Sequence, residues 1–109
     1  MYVIASDEVS NTAAIAASGT GQIPTDTSIL KDIGLRPNQQ FYNYCFLTNG
    51  HTSAIRVKIG KDTQRIGAGD AFEWGSDKRI IFDTIIIEEL GTAAQIDIGD
   101  IKANIARLR

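Results

Sequence analysis

From Phe41 to Asp100 the chain alternates apolar and polar residues in short runs, and turn-forming residues separate them. The clearest run is SAIRVKIG: Ile55, Val57 and Ile59 fall on one side, Ala54, Arg56 and Lys58 on the other. A period of two is that of a β-strand with one solvated face. FYNYCFLT, before it, is rich in aromatics and reads as another strand, with Asn49-Gly50-His51 joining the two as a hairpin. Gly60-Lys61-Asp62 marks the next turn, TQRI a short strand, and Gly67-Ala68-Gly69 a further turn into DAFEW. In DAFEW, Phe72 and Trp74 share the face expected to turn inward, and Glu73 the opposite one. RIIFDTIIIEEL carries bulk on both faces, which predicts a strand buried on both sides or crossing between sheets. Gly91-Thr92 turns the chain, and AAQIDIGDI alternates once more. The closing DIKANIARLR fits a strand or a short helix. Six or so strands with turns between them, and no room for crossover helices, predict a mainly β fold: an antiparallel β-sandwich or jelly-roll-like barrel.

The first forty residues differ. SDEVSNTAAIAASGTGQIPTDTS holds no aromatic residue and little apolar surface. Residues 1–40 are therefore expected to form an extended N-terminal arm that orders on binding, with Ile15 and Ile23 as its contact residues. The β-domain is expected over residues 41–109. TDTSILKDIG predicts a short helix, capped by Thr25 or Asp26 and ended by Gly34. Thr12–Ala17 suits either a small helix or extended chain.

Charge adds one asymmetry. The chain has 109 residues and a formal net charge of −2, yet residues 101–109 carry Lys102, Arg107 and Arg109 and no acid. They read as a basic C-terminal tail able to dock on an acidic partner. The acids elsewhere count against nucleic acid as a partner, although Arg56, Lys58, Lys61 and Arg65 could share a face and Tyr42 or Tyr44 could stack bases. With one cysteine, no intrachain disulfide can form. No signal peptide and no membrane-spanning run is recognisable, and synthesis in the cytoplasm is expected.

The candidate chemistry is sparse. One histidine and one cysteine rule out the common zinc motifs within the chain. Cys45 and His51 form the one possible nucleophile–base pair, but Cys45 sits mid-strand, where a cysteine is a small core hydrophobe. Glu88 and Glu89 are adjacent on a strand and point to opposite faces. In IGAGDAFEWG the spacing Gly67-x-Gly69 lacks the rest of any phosphate-binding fingerprint, so the glycines read as turn formers. No catalytic residue and no cofactor is expected.

The β-region, LTNGHTSAIRVKIGKDTQRIGAGDAFEW closed by IIIEELGTAAQIDIGDI, resembles small structural proteins of tailed phages, the capsid decoration and minor virion proteins. The resemblance implies a non-enzymatic protein of the virion that binds and stabilises a capsid. Its partner would be the major capsid protein or another virion protein, and it would act as a homo-oligomer such as a trimer. The competing expectation is a small carbohydrate- or ligand-binding β-sandwich that reads sugars with an exposed Trp74.

Overall fold

The computed structural model describes residues 3–91 and 94–109. Among the described residues the eight strands are β1 (Val3–Ser10), β2 (Thr20–Ile23), β3 (Tyr44–Asn49), β4 (Ile55–Ile59), β5 (Asp62–Ile66), β6 (Ala71–Trp74), β7 (Ile85–Glu89) and β8 (Ile101–Leu108), with one short α-helix, α1 (Ser28–Asp32), and two 3₁₀ turns. The first sheet has the order β1-β8-β3-β6 and the second β2-β7-β4-β5. All pairings are antiparallel, and the outermost strands in sequence pair first: β1 with β8, β2 with β7, β3 with β6, β4 with β5. A long hairpin rolled into two facing sheets in this way is a jelly roll.

Alternation builds the core. Ile55, Val57 and Ile59 of β4 are buried between the sheets while Arg56 and Lys58 face out. They share one core cluster with Ile85 and Ile87 of β7, Cys45 and Leu47 of β3, Trp74 of β6 and Ile105 of β8. Each fully buried aliphatic side chain contributes about 1.5–3 kcal/mol of hydrophobic stabilisation. β4 and β5 form a tight hairpin through Gly60-Lys61. Gly60 has φ +58°, and a Cβ there would lie 2.8 Å from the Ile81 carbonyl oxygen, so both conformation and space require glycine.

Four expectations are corrected. The first concerns the arm. Residues 3–10 pair with β8 along their length, residues 20–23 pair with β7, and Ile15 bridges to Ile96. Edge strands need only one inward row, and Ala5, Ile15 and Ile23 supply it, so a polar segment suffices. Residues 12–17 are accordingly not helical, and Ile15 and Ile23 are core residues with no surface to offer a partner.

The second concerns Asn49-Gly50-His51, which does not close a hairpin. β3 and β4 belong to different sheets, and this segment carries the chain across. The third is the basic tail, which is β8, an inner strand between β1 and β3. The fourth is AAQIDIGDI, whose described residues before Ile101, where β8 begins, form an isolated bridge at Ile96 and no longer strand; the segment's first residue and Thr92 of the Gly91-Thr92 turn before it lie outside the described residues.

Other expectations match, apart from the helix cap. The helix lies within TDTSILKDIG and Gly34 follows it with φ +89°, but its N-cap is Thr27 and not Thr25 or Asp26, and no side chain caps it; an Asp26 oxygen accepts from the Ser28 N–H at 2.9 Å as a local turn. Leu30 on α1 is fully buried. RIIFDTIIIEEL does cross between sheets: Phe82 bridges to Tyr42 beside the first sheet, and Ile85–Glu89 pair in the second.

Candidate functional site

The chemistry-bearing side chains lie inside. Cys45 is fully buried, and burial pushes its thiol up to about 12, away from the thiolate a nucleophile needs. Trp74 is also fully buried and donates from Nε1 to Asp62 Oδ2 at 2.7 Å, while its ring packs on Phe72 with centroids 4.7 Å apart. A sugar platform on Trp74 is therefore ruled out.

His51 is buried as well, although its turn position predicts solvent. Its Nε2 lies 2.8 Å from Glu89 Oε2. The other Glu89 oxygen accepts from the Ser18 N–H at 3.0 Å. Burial works to raise the Glu89 carboxyl, but the Ser18 N–H, the His51 ring and the Gly91 N–H together hold it below the usual carboxylate value. Next to this pair, Asn49 donates to the carbonyls of Ser53, Ile66 and Gly67 and accepts from the His51 N–H. Asn11 donates to Ala13 and Asp97 and accepts from the Ile101 N–H.

These are the four buried polar side chains among the described residues, and all sit at one end of the sandwich. Each touches a segment that carries the chain between sheets: β1–β2 at Asn11 and Ser18, β3–β4 at Asn49 and His51, β5–β6 at Gly67, β7–β8 at Glu89 and Asp97. Buried polar groups with satisfied partners fix backbone geometry, which is their work here. A signal for His51 exists in the sequence: Cys45, Leu47, Asn49 and His51 share one phase of period two, and all four are buried.

The opposite end carries Arg79, Arg107 and Arg109. Asn43, Arg79, Ile80, Ile81, Arg107, Leu108 and Arg109 line a hollow of about 340 Å³. Asn43 clamps the end of β8, donating to the Leu108 carbonyl at 3.0 Å and accepting from its N–H at 2.7 Å. Arg107 Nη1 donates to the Phe41 carbonyl at 3.4 Å, whereas its Nε is buried without a hydrogen-bond partner. Arg79 ends a short 3₁₀ turn, Ser76–Lys78, in the left-handed conformation with φ +51°. Ile81 stands beside it, 61% exposed. Val3, also exposed, lies opposite Leu108 across the β1–β8 ladder.

Comparison with protein-family models, curated proteins and solved structures finds no match.

Of the bases expected in the tail, the fold brings Arg107 and Arg109 together and adds Arg79. Lys102 lies elsewhere, on the outer face of the first sheet, in a shallow groove with Glu8, Phe46, Thr48 and Asn104. Tyr44 on that face donates to Glu73 Oε2 at 2.6 Å, and this bond, with burial, pushes its hydroxyl up to about 12. Arg56, Lys58 and Arg65 face out from the second sheet instead, and Arg56 pairs with Glu88. Tyr42 is buried, its hydroxyl donating to the Asp26 carbonyl, so no aromatic from that pair joins the cations to stack a base. Among the described residues no three His, Cys, Asp or Glu side chains converge as a metal site would need. No helix among them is long and apolar enough to cross a membrane.

Proposed function

We propose that the protein is a non-enzymatic structural component of a phage particle, a decoration or stabilising protein that docks on the capsid with its arginine-bearing end. The observation that carries this reading is the gathering of Arg79, Arg107 and Arg109 with exposed Ile81 around one hollow. Arginine beside aliphatic surface is the composition of interface centres, and no Asp or Glu side chain lines the hollow. The jelly roll supports the same reading, since viral coat domains are built on it, as are lectins. Lectin chemistry has less support, because Trp74 is enclosed. Self-association through sheet edges belongs to the proposal, with β1, β2, β5 and β6 at the sheet edges.

The test is sedimentation. Purified protein mixed with capsids from its own source should travel with them at a fixed ratio of copies per capsid protein. Protein that stays at the top of the gradient, or particles made without the gene that retain full stability, would overturn the proposal.

A further inference from the structure

We propose that the arginine hollow is a receptor for a carboxylate carried by a peptide segment of the partner. This rests on the docking proposal for the source of the ligand, while the chemistry rests on the hollow. A guanidinium offers five donors in a planar fork, and the strongest acceptor for that fork is a carboxylate or phosphate, bound by two parallel hydrogen bonds. Arg107 lines the hollow with one long contact, to Phe41, and a buried Nε that lacks an acceptor. A buried donor without a partner is an under-satisfied group, so the Arg107 guanidinium keeps hydrogen-bonding capacity for an acceptor that draws it toward the hollow. Arg79 lines the same hollow, and no Asp or Glu side chain does. A single anion could thus meet two guanidinium groups.

The surroundings favour peptide over nucleic acid. Ile80, Ile81 and Leu108 share the lining, and Val3 stands next to Leu108. A peptide brings carboxylates and apolar side chains together, whereas a phosphodiester backbone brings only charge and sugar. At about 340 Å³ the hollow suits one acidic side chain with an apolar neighbour.

The experiment follows the arginine Nε–H resonances of the ¹⁵N-labelled full chain by NMR, with Arg107 assigned by its loss in Arg107→Lys. Three probes are titrated: a short synthetic peptide alternating leucine and glutamate, the same peptide with glutamine for glutamate, and inorganic phosphate. The glutamate peptide should shift the Arg107 Nε–H saturably, and the glutamine peptide and phosphate should bind about tenfold more weakly or less. Arg79→Ala, an exposed change that leaves the core intact, should weaken the glutamate peptide about tenfold as well, with the rest of the spectrum unchanged. Absence of a saturable shift, equal binding of the glutamine peptide, tighter binding of phosphate, or an unaffected Arg79→Ala variant would each overturn the inference. No particle is present in this experiment, so its failure leaves the sedimentation test to decide the docking proposal separately.

Discussion

His51 Nε2 lies 2.8 Å from Glu89 Oε2, and both side chains are closed off from solvent. The pair joins the β3–β4 crossing to the end of β7, and through Ser18 to the β1–β2 crossing. Removing one member leaves the other buried without its partner. Glu89→Ala and His51→Ala should each destabilise the fold by about 3 kcal/mol or more, a large part of a small domain's total. Urea denaturation monitored by circular dichroism measures this. A loss below about 1 kcal/mol in both variants would mean the pair is not a structural clamp.

The same pair predicts the acid limb of stability. Folding holds the Glu89 carboxyl below its ordinary 4.5, and those of Asp26 and Asp62 below their ordinary 3.8. For Asp62 the Gln64 amide is the main cause, with Trp74 Nε1–H helping. Just below the ordinary values the unfolded chain binds more protons than the folded one, so stability rises with pH there. It should be complete above about pH 5 and decline as pH falls through the lowered folded values. Glu89→Gln should cost most at neutral pH, with the wild-type and variant curves converging in acid. Parallel urea midpoints from neutral pH down to about pH 3 would contradict the assignment.

A shortened chain tests the place of the N-terminal segment. Deleting residues 1–28 removes β1 and β2, one edge strand from each sheet, together with Ile15 and Ile23 of the core. The remainder should be insoluble or unfolded by circular dichroism. A truncated chain that unfolds cooperatively near the wild-type midpoint would restore a separable arm.

Much of the second sheet was legible because its side chains obey one rule locally. IRVKI alternates without exception, and Glu88 and Glu89 point to opposite faces as adjacent strand residues must. Cys45 and Trp74 read correctly as core, and Gly69 takes the positive φ of a turn. What could not be read was non-local. Turn chemistry at Asn49-Gly50 shows that the chain bends, but not which sheet receives the next strand. β1 and β8 carry charges and small residues because one face of each is solvated, and that composition looks like an arm and a tail. The arginine hollow joins Arg79 to Arg107 through tertiary structure alone.

Two reporters check the interior directly. The buried Cys45 thiol should resist a water-soluble disulfide reagent at mildly alkaline pH and react only as the chain unfolds. Trp74 emission should move to longer wavelength over the same urea range. Trp74→Ala should cost about 3–5 kcal/mol. Rapid native labelling of Cys45, or solvent-exposed tryptophan emission in the folded protein, would contradict the core described above.

The arginine-bearing end is proposed to dock on a capsid. The most direct measurement of that docking is the number of copies bound per particle, by gradient sedimentation and quantitative mass spectrometry, for wild type and for Ile81→Asp. Ile81 is largely exposed, so the substitution should leave the urea midpoint within about 0.5 kcal/mol of wild type. Wild type should saturate the particles, and Ile81→Asp should lose at least about nine-tenths of the bound copies, as loss of an interface anchor predicts. Equal occupancy by a folded Ile81→Asp variant would show that the protein docks elsewhere, and absence of wild-type binding would show that it does not dock at all.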